Sequence, residues 1–206
     1  MNNKIKYSEA KNIMGNNIIG PEELRCMTGF ELAIPASIPD IPYSAQELES
    51  KKNDYYLILG INKLKSGDST NIKNMISLFG KDPFVSEPCF YNQDWYEKED
   101  FIKKALETEW FLIRKSLYED SRAVQPEKLI TKYTFPFAVN CTYAFFVLWK
   151  TREVKLWCYD FVWCRDVDHN GDRIYVGKYI DTEGMNKNGF SIHRHLGLRS
   201  CYGCID

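Results

Sequence analysis

Residues 161–179 read FVWCRDVDHNGDRIYVGKY, and the two strand-like runs in this stretch flank Asn170-Gly171. Asn-Gly between two such runs is the strongest short-range signal for a β-hairpin, because a type I′ turn needs positive φ at both central residues. A two-residue turn would place Asp168 opposite Arg173 as an oppositely charged cross-strand pair. One face of this predicted hairpin carries Trp163, Arg165, Val167, Ile174, Val176 and Lys178.

The segments on either side of the hairpin extend the prediction. Residues 135–149 are apolar nearly all round, which predicts a buried helix that begins near Pro136, with a pair of strands as the alternative. Residues 189–193 form a last candidate strand. Further strands are predicted at 55–61 and 110–115, and further helices at 21–29, 44–52, 68–79, 97–107 and from Pro126 onward.

The composition of the 206-residue chain is that of a globular protein. Hydrophobic residues make up 44% and charged residues 27%, which excludes long disorder and coiled coil. Together with the mixture of strands and helices, an aromatic share of 15% predicts a soluble α+β domain. No apolar run is long enough to span a bilayer. A net charge of −1 gives no field to attract nucleic acid, which is not expected as a partner.

The cysteines and the first residues of the chain indicate in which cellular compartment the protein is expected. The odd count of seven, and the apolar neighbours of most of these cysteines, favour buried thiols over a disulfide framework. Residues 1–10 are polar and contain no apolar segment of the kind found in a secretory signal. We therefore expect a cytoplasmic protein.

The start of the hairpin turn resembles the opening of a calcium-binding loop. Asp166, Asp168 and Asn170 supply alternate oxygen ligands before a glycine. The loop is incomplete, because Gly177 stands at the twelfth position, where an EF-hand needs a bidentate Glu. Arg173 would also place a positive charge beside the cation. We expect the hairpin to prevail and calcium not to bind here.

The end of the chain contains the residue types of a tetrahedral zinc site: His193, His195, Cys201 and Cys204. Their spacing matches no common zinc module, so two polar histidines and two packed thiols are the competing interpretation. With an open coordination position and a general base, this set would make the protein a zinc-dependent enzyme. The sequence contains no complete catalytic set and no glycine-rich phosphate loop, and no cofactor is expected.

A series of spaced short motifs begins at Trp110. In order they are Trp110-x-Leu-Ile-Arg-Lys, Ser121-Arg122, Pro136-x-Ala-x-x-x-x-Tyr143, Val162-Trp-Cys-Arg-Asp166, Asp172-Arg-Ile-Tyr-Val-Gly-Lys-Tyr179, Glu183-Gly184-x-Asn186 and Leu196-Gly-Leu-Arg-Ser200. Over residues 105–203 this series resembles C-type lectin-like domains of the formylglycine-generating-enzyme type, in particular uncharacterised bacterial and phage-linked binding domains. The enzymatic branch of that family uses a specific redox cysteine pair. Cys201-x-x-Cys204 has a different spacing, so the resemblance does not imply oxidase activity.

The resemblance implies a C-type lectin-like α+β fold for the C-terminal part of the chain, which we assign to residues 86–206. Residues 1–85 lie outside the resemblance, and we expect them to form an N-terminal helical accessory segment packed on that domain. The resemblance also implies a ligand surface on the last strands and their loops, formed by Asn186, Asn188, Phe190, His193, His195 and Tyr202. The implied function is that of a non-catalytic ligand-binding protein with an unidentified protein or glycan as its partner. A structural or assembly protein is a further alternative, and the sequence sets no oligomeric state.

Overall fold

The computed structural model describes residues 5–178, 189–194 and 197–206. Within these residues the chain forms six α-helices and two mixed β-sheets of three and four strands. The predicted α+β class is therefore confirmed.

Five of the six helices coincide with segments that the sequence predicts as helical. The helices are α1 (Tyr7–Met14), α2 (Pro21–Cys26), α3 (Ala45–Lys51), α4 (Ile72–Phe79), α5 (Pro126–Leu129) and α6 (Ala138–Arg152), of which α1 is not predicted. The helix predicted over 97–107 is wrong, because only a 3-10 turn forms there, Asp100–Lys103, with the adjacent Phe101 and Ile102 both buried. None of the helices in the described residues has the length and apolar character that crossing a membrane requires.

The strands lie in two separate sheets. The first sheet, in the order β1-β2-β3, contains β1 (Ile18–Ile19), β2 (Tyr55–Leu59) and β3 (Trp110–Arg114). The second sheet, in the order β6-β5-β4-β7, contains β4 (Phe161–Val167), β5 (Arg173–Lys178), β6 (Phe190–Arg194) and β7 (Tyr202–Gly203). Strands β4, β5 and β6 are antiparallel neighbours, whereas β7 returns parallel to β4 at the end of the chain.

Helix α6 contacts both sheets, and its sequence explains why. Ten of its 15 residues are buried, and a helix that is apolar on every side needs protein on every side. The hydroxyl of Tyr143 donates to the carbonyl oxygen of Leu59 in the first sheet at 3.0 Å. The ring of Phe145 lies 4.6 Å from that of Phe190 in the second sheet. The buried helix predicted over 135–149 is therefore confirmed, and the alternative of two strands is wrong.

The described residues of the segments 1–85 and 86–206 pack together around one main hydrophobic core. Strand β2 from the first segment pairs along its whole length with β3 from the second, and Leu57 lies opposite Leu112. One cluster of buried apolar side chains contains residues from both segments. Buried side chains on both sides of residue 85 therefore share one core, and the division at that residue stays a prediction.

The predicted hairpin of β4 and β5 is confirmed, but its two-residue turn is wrong. Val167 rather than Asp168 lies opposite Arg173, so residues 168–172 form a longer loop. Of the two residues at the expected turn, only Gly171 has a positive φ, 87°. The physical reason is the carboxylate of Asp168, whose Oδ1 accepts from the backbone N–H groups of Asn170 at 2.9 Å and Asp172 at 2.8 Å. These bonds close the loop in place of a type I′ turn.

The altered register changes which side chains share a face. Trp163 lies opposite Tyr175, Val162 lies opposite Val176, and a bulge interrupts the pairing between Trp163 and Val167. Val176 and Ile174 consequently belong to the main core, whereas Trp163 belongs to a second, smaller cluster on the other side of the sheet. The prediction that one face carries Trp163, Arg165, Val167, Ile174, Val176 and Lys178 is therefore wrong, because Trp163 lies on the opposite side of the sheet from Ile174 and Val176.

Candidate functional site

The outer face of the second sheet carries a cluster of rings that we call the aromatic face: Phe161, Trp163, Tyr175, His193 and Tyr202. Alternate residues of a strand point to opposite sides of a sheet, so these side chains turn away from the main core. The ring centroids of Tyr175 and Tyr202 lie 4.6 Å apart, and those of Trp163 and Tyr175 lie 5.0 Å apart. His193 stacks on Tyr175 with a centroid distance of 5.4 Å. Rings from four strands therefore form one cluster.

The surroundings of the aromatic face decide which part of it a ligand can reach. Leu129 of α5 and Phe135 pack on the cluster and are themselves buried. Leu198 and Cys201 also pack on it, but both keep part of their surface exposed. Tyr118, Val124 and Tyr133 border the cluster in the same way on another side. We call the border formed by His193, Leu198, Arg199 and Cys201 the rim.

Several polar groups lie within the aromatic face. The indole Nε1 of Trp163 is buried and has no hydrogen-bond partner in the structure described. The hydroxyl oxygens of Tyr175 and Tyr202 lie 3.4 Å apart, and Nδ1 of His193 lies 3.3 Å from the side-chain nitrogen of Gln93. A buried N–H without an acceptor costs free energy. An acceptor supplied by a ligand or an ordered water is therefore favoured at Trp163.

The imidazole of His193 is uncharged at neutral pH. Burial, with a contribution from the positive charge of Arg199, lowers the pKa of His193 to about 4. A neutral imidazole offers one N–H donor and one acceptor. The aromatic face therefore contains buried rings and hydrogen-bonding groups, and its partly exposed member is the uncharged His193.

The structure separates the ligand residues that the resemblance implies. Three of them lie outside the described residues: Asn186, Asn188 and His195. His193 and Tyr202 come together on the aromatic face, where His193 is half-buried and Tyr202 is buried. Phe190 lies on the opposite face of β6, fully buried against Phe145. Of these three described residues, only His193 therefore keeps partly accessible surface.

The carboxylates of the incomplete calcium loop have different partners. Asp166 accepts a hydrogen bond from the backbone N–H of Ala138 at 2.6 Å, at the start of α6, and burial raises the pKa of Asp166. Oδ2 of Asp168 accepts from Arg194 at 3.0 Å. The third residue, Asn170, supplies its backbone N–H to Asp168. Asp166 and Asp168 thus act at separate places in the fold.

A cluster that the sequence does not reveal lies beside the hairpin loop: Glu99, Asp168 and His169. It is the one set of three His, Cys, Asp or Glu side chains among the described residues whose ligand atoms lie within 4.8 Å of one another. Nδ1 of His169 lies 2.6 Å from Oε1 of Glu99, and the backbone N–H of His169 donates to Oε2 at 3.0 Å. Because donors of the chain already bind both buried carboxylates, the cluster fixes the loop. Sequence reasoning misses it because 70 residues separate Glu99 from His169.

The predicted zinc residues do not converge where the structure describes them. Among the described residues, neither His193, Cys201 nor Cys204 belongs to a group of three possible metal ligands whose ligand atoms lie within 4.8 Å of one another. Burial raises the pKa of the Cys204 thiol to about 11, which disfavours the thiolate that zinc binds. The fourth residue, His195, lies outside the described residues. The described geometry gives no support to the zinc-enzyme alternative.

Comparison of the chain with models of protein families, with curated proteins and with solved structures gives no match in any of the three. The resemblance to C-type lectin-like domains therefore stays a prediction. What defines the class of this protein is its own geometry, a mixed α+β fold with an aromatic face on its C-terminal sheet.

Proposed function

We propose that this protein is a non-catalytic ligand-binding protein that presents its ligand surface on the C-terminal strands and loops. The observation that carries the proposal is the aromatic face, in which the buried indole N–H of Trp163 has no acceptor in the described structure. Aromatic side chains combined with a few placed polar groups are typical of ligand sites.

The chemistry of the aromatic face favours an uncharged part of a ligand. His193 is neutral at pH 7, since its pKa is about 4, and the hydroxyls of Tyr175 and Tyr202 add groups that can donate and accept hydrogen bonds. These groups suit the hydroxyls of a carbohydrate or the amide groups of a peptide. A protein or a glycan is therefore the proposed ligand, and the rim is where it first meets the surface.

The proposal includes a C-type lectin-like arrangement for residues 86–206, with residues 1–85 as an accessory segment. Helix α6 packs on the inner face of the second sheet, whereas the partly exposed His193 lies on the outer face at the border of the aromatic cluster. The last strand, β7, returns beside β4 and brings the end of the chain to the same sheet. These features support the proposed arrangement.

The experiment compares binding of three forms of the full chain to a glycan array and to a peptide library: the wild type, His193→Ala and His169→Ala. His169 is the matched control, because it is an exposed histidine at the hairpin loop and lies outside the aromatic face. We expect the wild type and His169→Ala to bind the same glycan or peptide, and His193→Ala to bind it at least about tenfold more weakly.

Two results would contradict the proposed function. One is that no glycan or peptide binds to the correctly folded wild type. The other is that binding is equally strong in His193→Ala, which would place the ligand elsewhere on the protein. Circular dichroism of each variant verifies that the fold is retained.

A further inference from the structure

One loop of the protein exposes two adjacent apolar side chains, Phe84 and Val85, which we call the knob. Their side chains are 85% and 82% exposed, whereas no other large apolar side chain in the described residues is more than half exposed. Both lie in the loop that follows α4. Exposed apolar surface of this kind marks sites of interaction with other proteins.

The knob is held in a fixed conformation by Asp82. Oδ1 of Asp82 accepts from the backbone N–H of Phe84 at 2.9 Å. Its carbonyl oxygen accepts from the backbone N–H groups of Val85 at 3.1 Å and Ser86 at 3.0 Å. A loop that is already ordered loses little conformational entropy when it binds.

The base of the same loop is attached to the rest of the molecule. Lys81 donates to the carbonyl oxygen of Gln93 at 2.7 Å and forms an ion pair with Glu97. The backbone N–H of Phe90 donates to the carbonyl oxygen of Gly80 at 2.9 Å. The knob is thus presented from an anchored loop.

A cleft elsewhere on the chain has the complementary character. It has a volume of about 270 Å³, and its apolar lining consists of Leu24, Met27, Leu32, Ala33 and Ile34. Three charged residues complete the lining: Arg25, Glu31 and Lys65. Lys65 and Glu31 form an ion pair at 3.0 Å. Arg25 is exposed and has no ion-pair partner in the described structure.

We propose that the knob of one copy of this chain docks into the Leu24–Ile34 cleft of a second copy. The charges agree with this pairing, because the exposed acidic residues Asp82 and Glu87 flank the knob, and the unpaired Arg25 borders the cleft. Each copy has one knob and one cleft, and the proposed dimer is the two-fold arrangement in which each cleft holds the knob of the other copy. This proposal is independent of the ligand-binding function.

Sedimentation velocity of the full chain over a range of protein concentrations tests the proposal. We expect the wild type to form a dimer, and the double variant Phe84→Ser/Val85→Ser to weaken association at least about tenfold. The matched control is Ile130→Ser, which changes another partly exposed apolar residue and leaves association unchanged. Since the knob side chains are exposed, the variants keep the fold, and circular dichroism verifies this.

A charge exchange tests the pairing of knob and cleft. Arg25→Glu is expected to weaken the dimer, and adding Glu87→Arg is expected to restore it. A wild type that stays monomeric at every concentration overturns the proposal, as does a dimer that the knob substitutions leave intact. Loss of the dimer with no restoration by the charge exchange overturns the assignment to this cleft.

Discussion

Asp168 shows how a single side chain sets local geometry. Its carboxylate binds two backbone N–H groups of its own loop and the guanidinium of Arg194 on β6. Burial opposes the charge of this carboxylate, but hydrogen bonds from Arg194, Asp172 and Asn170 outweigh that effect and hold its pKa below the usual value. The residue therefore joins the hairpin loop to the neighbouring strand.

We expect Asp168→Asn to lower the free energy of unfolding at pH 7 by about 1–3 kcal/mol, because a buried charge-assisted hydrogen bond is lost. Urea denaturation measures the change, and Asp172→Asn, at an exposed position of the same loop, is the control. The lowered pKa means that the contribution of Asp168 is present above the usual carboxyl pKa and disappears as the pH falls through the folded-state pKa. A difference from the wild type that persists unchanged at very low pH would contradict this account.

The buried imidazole of His193 makes a second contribution that depends on pH. The pKa of His193 is about 4 in the folded protein and about 6.5 in the unfolded chain. Between pH 4 and pH 6.5 the unfolded chain therefore binds more protons than the folded protein. Stability should therefore rise with pH across this window, by about 3 kcal/mol at most from this group. His193→Gln should flatten the pH dependence of the urea midpoint between pH 4 and pH 6.5. Identical profiles for the variant and the wild type would exclude the effect.

At the scale of elements, two buried tyrosine hydroxyls can be compared, of which one forms a hydrogen bond between a helix and a strand and the other forms none in the described structure. Tyr143 on α6 donates to Leu59 on β2 at 3.0 Å, whereas the hydroxyl of Tyr96 is buried and has no partner in the described structure. Both side chains are fully buried. They form a pair of buried tyrosines, of which only Tyr143 has hydrogen-bond partners for its hydroxyl in the described structure.

Tyr143→Phe should therefore destabilise the protein by about 1–2 kcal/mol, because it leaves the carbonyl oxygen of Leu59 without this donor. Tyr96→Phe should be neutral or stabilising, since it removes a buried polar group that has no partner. Thermal or urea unfolding of the two variants measures the difference. Equal losses of stability would show that the hydrogen bond to Leu59 does not join α6 to β2.

The elements differ in how well the sequence predicts them, for physical reasons. The apolar run at 135–149 predicts α6 because a helix that is apolar nearly all round suits a buried position, although the run also left a pair of strands open. Asn170-Gly171 correctly locates the hairpin. The register of that hairpin is not predictable locally, because it depends on hydrogen bonds of Asp168 and on a bulge. The aromatic face follows from this register, so the sequence alone assigns Trp163 to the wrong side.

At the scale of the whole molecule, the two segments of the chain depend on each other. The pairing of β2 with β3 and the common core join residues 1–85 to residues 86–206. The resemblance of residues 105–203 gives no information on this contact, because it does not reach the first segment. Long-range pairing of this kind has no local signal in the sequence.

We therefore expect a single unfolding transition that includes both segments. Hydrogen exchange of the backbone N–H groups in β2 and β5 should report the same free energy of opening. Fluorescence and circular dichroism should give coincident urea curves. Loss of β2 before β5, or two separate transitions, would show that residues 1–85 fold as an independent unit.

The central claim is that the aromatic face binds the ligand, and the indole N–H signal of Trp163 in a nitrogen–proton NMR spectrum tests it most directly. Trp163→Phe assigns that signal. Trp95 and Trp110 are internal controls, since their indole N–H groups donate to the carbonyl oxygens of Ile192 at 3.1 Å and Pro39 at 3.0 Å. When the glycan or peptide selected by the arrays is added, we expect the Trp163 signal to shift while that of Trp110 does not. A bound ligand that leaves the Trp163 signal unchanged would contradict the claim.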